Sequence, residues 1–334
     1  MALPVPDPDT CTTADTRGEH DAPGSAPRFV ELGEVVQDAS TGLIWTRSAN
    51  PLGAALTWPE ALAAVAGFNR DGFLGARDWR LPNRRELCSL ICHAEKLPAL
   101  PRGHPFCDVF LGWVWSSTTK AGQTAYAWNV HLEGGRLFYS RKDEFRLLWP
   151  VRGHSAVLAQ TGQRGCYDAT GGAIPCPGSG QDADLQSGQP WPEPRFERSN
   201  LGVLDRLTDL CWLEPGRLSS HTATWAEAWD FAASFETGSG AGSGAGSGPP
   251  WRLPNINELE SLVDADRANP ALPLELSAAL ALPVALSAEG LWSATTSGFD
   301  PDWAFVLYVQ KGALGVGFKP GAKFHVWPVR RLEP

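Results

Sequence analysis

The chain has 334 residues, 43% of them hydrophobic, and carries a formal net charge of −9 at pH 7 with a pI near 5.3. That length suits two domains of ordinary size, each with a core of its own, and the acidic balance excludes nonspecific attraction to nucleic acid or an anionic membrane surface. No apolar run approaches the roughly 20 residues that span a bilayer, and residues 1–9 show neither the basic start nor the apolar core of a secretory signal.

Residues 1–27, rich in Pro, Asp, Thr and Gly, read as a flexible tail. A first domain is expected over 28–153. It opens with a short strand, Gly42-Leu43-Ile44-Trp45. Thr57 and Glu60 then form a capping box, with Pro59 tolerated in the first turn of the helix that follows. In Trp79-Arg80-Leu81-Pro82-Asn83 the proline holds Leu81 extended. Asn83 caps a second helix with Glu86 as its N3 partner, so Glu86 reads as a cap rather than a catalytic carboxylate. Leu87, Leu90 and Ile91 face the core of this helix. Strands follow: Trp115-Ser116-Ser117-Thr118-Thr119, then an alternation with Trp128, Val130 and Leu132 on one face and Asn129 and His131 on the other. A turn at Glu133-Gly134-Gly135, Leu137-Phe138-Tyr139 and a last strand over 147–151 complete the pattern.

A connector covers 154–195. Within it Cys166 and Cys176 bracket a turn-rich segment and are expected to form a disulfide, the alternative being two buried thiols. Residues 196–334 then repeat the first domain. Trp251-Arg252-Leu253-Pro254-Asn255 restates the earlier pentamer, Thr224 with Glu227 and Asn255 with Glu258 restate the two capping boxes, and Trp327-Pro328-Val329-Arg330 restates the closing Trp149-Pro150-Val151-Arg152. The Gly/Ser tract at 238–248 reads as a flexible loop. Two long anchors in the same order identify a duplicated domain, with a period far longer than that of solenoid repeats. Each copy is strand, two helices and a mainly antiparallel sheet: an α+β fold. Many of the fifteen tryptophans fall at matched positions and read as scaffold.

Cys88, Cys92, His93, His104 and Cys107 suggest a metal cluster at first sight, but the second copy has Glu260 at the position of Cys88 and no matching His pair. A structural zinc site needs four converging ligands, so no metal is expected, and either a Cys92–Cys107 bridge or buried thiols take its place. The pairing of Cys11, Cys88, Cys92, Cys107 and Cys211 stays open. No Ser-His-Asp order repeats in the two copies, His131 falls opposite Tyr308, and the Gly-rich stretches lack the strand-to-helix context of a phosphate loop. Neither a catalytic set nor a cofactor is expected.

These residues resemble the DUF1566 or Lcl C-terminal domain family, on its W-R-L-P-N-x-x-E-L string, its W-S-S-T string, an aromatic alternating strand with a Gly turn, and a closing V-R. The second copy departs at Ala294, within W-S-A-T-T. The resemblance implies two tandem C-type lectin-like domains, with paired terminal strands, two helices and a loop-rich ligand-binding region. It implies kinship with bacterial surface adhesins that bind sulfated polysaccharides and with diversified receptors. The calcium motifs Glu-Pro-Asn and Trp-Asn-Asp of sugar-binding lectins are absent. A relative of that fold, the oxidase that makes formylglycine, supplies an enzymatic alternative in which Cys88 and Cys92 would act, and a structural subunit of a surface assembly is a third.

The expectation is therefore a non-enzymatic, adhesin-type recognition protein whose partner is a glycan, sulfated ones included, or a protein. A basic strip of Lys120, His131, Arg136, Arg141, Lys142 and Arg146 in the first copy, with Lys311, Lys319 and Lys323 in the second, would hold anionic groups. Trp113, Tyr126 and Trp303 would stack on sugar rings. A homo-oligomer is left open by analogy with the adhesins. The resemblance points to a cell-surface or extracellular location, while the missing signal keeps a cytoplasmic one open.

Overall fold

The computed structural model describes residues 27–199, 202–218, 222–235, 249–279 and 290–331. The tail expected over 1–27, all but its last residue, and the Gly/Ser tract lie outside the described residues. The chain parts into two compact units, one within Pro8–Pro190 plus Asp264–Arg267, the other within Trp191–Val263 plus Ala268–Pro334. Both are α+β with antiparallel sheets.

In the first unit the elements run β1 (Phe29–Leu32), β2 (Val35–Asp38), β3 (Ile44–Thr46), α1 (Trp58–Asp71), α2 (Arg84–Leu90), β4 (Trp113–Thr119), β5 (Tyr126–His131), β6 (Leu137–Arg141) and β7 (Val151–Arg152). β1-β2-β3-β7 form one sheet, so the closing strand β7 pairs with β3 and joins the strands that open the domain. β4, β5 and β6 form an antiparallel meander with Trp113 opposite His131 and Tyr126 opposite Arg141. α2 packs on β4 and β5. Trp58, Val65, Trp79, Leu81 and Trp115 build the core between α1 and the meander.

The second unit follows the same plan: its first three strands and its last form one sheet, and the three strands between them a meander. The ranges are β10 (Phe196–Arg198), β11 (Val203–Asp205), β12 (Leu210–Trp212), α4 (Trp225–Ala233), α5 (Ile256–Ser261), α6 (Leu274–Ala279), β13 (Gly290–Thr296), β14 (Trp303–Tyr308), β15 (Ala313–Phe318) and β16 (Val329–Arg331). Its core gathers Ala228, Leu253, Trp292, Val306 and Val326.

The repeated strings are explained by the bonds they make. Asn83 accepts from the Glu86 amide (3.0 Å), and the Glu86 carboxylate accepts from the Asn83 amide (2.8 Å). The same carboxylate receives a two-pronged ion pair from Arg80, at 2.6 and 2.7 Å. Asn255, Glu258 and Arg252 repeat the arrangement. Trp-Arg-Leu-Pro-Asn-x-x-Glu is thus a helix cap locked by an arginine, as the spacing indicates. The tryptophans pair likewise: Trp58 and Trp225 donate to the Ser116 and Ser293 carbonyls, Trp115 and Trp292 to Leu56 and Ala223, Trp149 and Trp327 to Thr46 and Leu213. Nine tryptophans are fully buried. One further pair is duplicated without a shared sequence string to mark it: Arg28 clamps Asp38, and Arg195 clamps Asp205, each through two bonds.

Several elements depart from expectation. The hairpins β1–β2 and β10–β11 were not read from the sequence, because their strands are three or four residues long and lack an alternating pattern. β15 was missed because two glycines interrupt it; at Gly317 a side chain would run into the rings of Phe324 and Trp292 at 2.5 and 2.7 Å. The last strand expected over 147–151 is a single bridge at Leu147, then a break at Pro150, then β7; the matching segment of the second unit is two bridges, at Phe324 and His325, then a break at Pro328, then β16. The β5 alternation does not mark a wet face: Asn129 is as buried as Trp128 and Val130.

Residues 154–190 fall in the first unit. They hold β8 (Cys166–Tyr167), β9 (Ala173–Ile174) and α3 (Asp182–Leu185). Cys166 and Cys176 form a disulfide that closes this hairpin. At its tip the Asp168 carboxylate accepts from the Thr170 hydroxyl and from the Gly172 and Thr170 amides, an Asx-type turn whose bonds, the hydroxyl's first, hold that carboxyl below the usual range. Asp266 fastens the hairpin base by accepting from the Arg164 and Gly165 amides.

Candidate functional site

Both copies place a lysine just past the third meander strand and stand its ammonium on the indole of the first residue of the first helix. Lys142 Nζ lies 4.0 Å from the Trp58 ring centre, and Lys319 Nζ lies 4.1 Å from that of Trp225. Such cation–π contacts contribute about 2 kcal/mol when desolvated. The strand end beside each lysine carries paired threonines, Thr118-Thr119 and Thr295-Thr296, and the capping Asn83 or Asn255 stands at the start of the neighbouring helix. Lysine, indole, hydroxyl and amide together make a face suited to oxygen-rich groups.

The faces differ in what covers them. In the first unit Lys142 is fully buried and donates to the Tyr167 and Asp168 carbonyls, at 3.1 Å each. Thr118 donates to the Asp182 carboxylate (2.6 Å). Gln163 grips the Thr119 backbone through its amide, accepting at 2.8 Å and donating at 2.6 Å. Asn83 donates to the Ser187 carbonyl. The connector has closed over the face. Gly171 allows the closest approach, since a Cβ there would meet the Ala125 nitrogen at 2.8 Å. Burial pushes the Lys142 pKa down to about 7, with the Asp168 carboxylate pulling the other way. Burial likewise raises Asp182 to about 6, against the hydroxyls of Thr118 and Thr161.

In the second unit Trp225, Asn255, Ala294, Thr296 and Lys319 are all partly exposed, whereas Trp58, Asn83, Ser117, Thr119 and Lys142 are buried. Lys319 donates to the Thr296 hydroxyl at 2.8 Å. Partial burial lowers its pKa, with the Asp302 carboxylate opposing.

The remaining expected binding residues do not form one strip. Lys120 is buried and donates to the Ala121 carbonyl, with its ammonium near the rings of Tyr139 and Trp128. Tyr126 and Arg141 meet at one end of β5, where Arg141 is exposed and tied to Asp143 by two bonds. Trp113 and His131 meet at the other end, ring edge to face at 4.6 Å, and Arg136 is exposed in the turn that follows His131. Burial, then the Arg136 charge, depress the His131 pKa. Arg146 is partly buried and pairs with Glu144. Trp303 tilts against Phe318 beside Lys319, and Lys311 stands exposed in the turn at the far end of β14.

A separate open cleft of about 640 Å³ in the first unit was not anticipated. Glu34, Ser48, Asn50, Leu52, Leu74 and Asp108 are among its lining residues. Two of them, Leu74 and Asp108, hold left-handed backbone conformations (φ 48° and 54°). Its two carboxylates give it the wrong sign for an anionic ligand, and the second copy has Leu213 and Pro215 where this cleft has Thr46 and Ser48.

Cys88, Cys92, Cys107 and Cys211 are not disulfide-bonded, so no Cys92–Cys107 bridge forms. Among the described residues no three His, Cys, Asp or Glu side chains gather as a metal site, and no helix is long and apolar enough to cross a membrane.

The fold defines a tandem of antiparallel α+β modules that carry one lysine–indole face twice, covered in the first and partly exposed in the second. The chain belongs to the Lcl C-terminal domain family, whose family model matches residues 34–152 and 202–330. No match to the chain is found among curated proteins.

Proposed function

We propose that this is a non-enzymatic recognition protein built from two C-type lectin-like modules, binding a glycan or a protein ligand through the open face of its second domain. The observation that carries this reading is the Lys319 ammonium held over Trp225 and against Thr296, with Asn255 also partly exposed. An indole and a fixed ammonium recognise a sugar ring with an anionic substituent, or a peptide carbonyl, with no covalent step. The Cys166–Cys176 disulfide suits a protein working outside the reducing cytoplasm. The oxidase alternative needs two accessible cysteines, and Cys88 and Cys92 are both buried.

The test is a glycan array probed with the full chain at low and high salt, beside Lys319→Met. The proposal expects binding that weakens with salt and falls at least tenfold in the variant. Binding indifferent to both would contradict an ammonium-centred site.

A further inference from the structure

The duplication supplies an internal control for what the open face accepts. In the first unit it is covered by a polypeptide, residues 154–190 of the same chain. The contacts by which that polypeptide is held fall mostly on positions that the second copy retains. Lys142 gives its ammonium to two consecutive main-chain carbonyls, and Lys319 matches it. Gln163 pairs with the main chain of Thr119, and Thr296 matches it. Thr118 donates to Asp182 and Asn83 to the Ser187 carbonyl, with Thr295 and Asn255 at the same places. Two bonds have no counterpart: that from Arg85 to the Gln160 carbonyl, where the second copy has Asn257, and that from the Thr124 hydroxyl to the Gly171 carbonyl, where it has Pro301; the bonds at Ala265 and Asp266 come from outside the first copy.

The covering segment is preshaped. The disulfide and the Asp168 turn fix the hairpin before it docks, so little chain entropy is lost on binding. The hairpin offers carbonyls at its turn, and a Gln and an Asp flank it. That is a recognition mode in which main-chain groups and one amide side chain are read, rather than a sugar.

We infer that the second domain's Trp225, Asn255, Thr296 and Lys319 form a docking site for a polypeptide hairpin of this chemistry: a closed turn that presents consecutive main-chain carbonyls to the ammonium and an amide side chain to the end of β13. The inference rests on the recognition reading and narrows its ligand to a protein loop. The first domain is the same site already filled by the chain's own connector.

The probe is a synthetic peptide of residues 158–190 with Cys166 and Cys176 oxidised, titrated calorimetrically into the full chain. Its own connector holds the first face at the millimolar effective concentration of a short tether, so micromolar peptide reports on the second. One-to-one binding is expected, weakened at least tenfold by Lys319→Met and by Trp225→Ala, and weakened by reducing the peptide. Thr296→Val, a near-isosteric change, serves where Trp225→Ala disturbs the fold, and circular dichroism checks each variant. Lys311→Met, at the far end of β14, should bind as the parent does. Absence of peptide binding, or binding that ignores Lys319, Trp225 and Thr296, overturns the inference. If the glycan array then shows Lys319-dependent binding, the recognition reading stands and only the polypeptide ligand is lost; if both fail, the recognition reading falls too.

Discussion

Glu86 shows how far a single residue can be read from spacing. Its place three positions after Asn83 identifies a cap, and the structure adds the Arg80 pair that spacing does not reveal. The carboxylate is almost fully buried and already holds one amide and one guanidinium. Glu86→Ala should therefore cost about 3–5 kcal/mol, the usual loss when one partner of a buried pair is removed; urea unfolding would measure it, and a change below about 1 kcal/mol would mean that Arg80 finds another partner. Lys142 is the opposite case. Its charge suggested a surface strip, but its partner Trp58 is distant in sequence and nothing local signals the contact. Its titration is open to test. The folded pKa of about 7 lies below the unfolded value of about 10.4. Between them the unfolded chain binds more protons, so stability should rise with pH from about 7 to about 10.4 and be flat in this term below 7. Lys142→Met should lose that slope; equal slopes in the two proteins would show that the burial carries no such penalty.

At the scale of elements, the repeated helices and the first two meander strands were legible because caps and alternation are local signals. The hairpins β1–β2 and β10–β11 were not, being short and without alternation, nor was β15, whose Gly317 serves ring packing at Trp292 and Phe324 rather than strand propensity. The connector was legible as a disulfide hairpin and illegible as a cover, since docking depends on bonds to Thr118, Thr119 and Lys142 tens of residues away. The disulfide closes a loop with a sequence separation of 10, for which chain entropy gives about 3 kcal/mol. Replacing Cys166 and Cys176 by Ser should lower stability by about that amount and speed hydrogen exchange at the Thr119 amide, which Gln163 protects. Unchanged exchange there would place the connector's hold elsewhere. Asp182 has its folded pKa raised to about 6 by burial. Stability should therefore fall as pH rises from about 4 to 6, because the folded chain binds the extra proton. Asp182→Asn should flatten that fall in a thermal-melt series, and a fall of equal depth in the variant would assign it to other carboxylates.

For the whole molecule, the duplication is what turns a family resemblance into a functional argument. Reading the two strings side by side reveals the architecture, and aligning them also sets Lys142 opposite Lys319 and Trp58 opposite Trp225, the one sequence signal that would have marked the face. What alignment could not reveal is that one copy is covered and the other open. That difference is measurable residue by residue with an amine-acylating reagent and peptide mass spectrometry on the native chain. The account predicts that Lys319 is labelled readily, while Lys142, sealed beneath Tyr167 and Asp168, stays protected until the Cys166–Cys176 bond is reduced. Labelling of Lys142 as fast as Lys319 in the oxidised protein would contradict it.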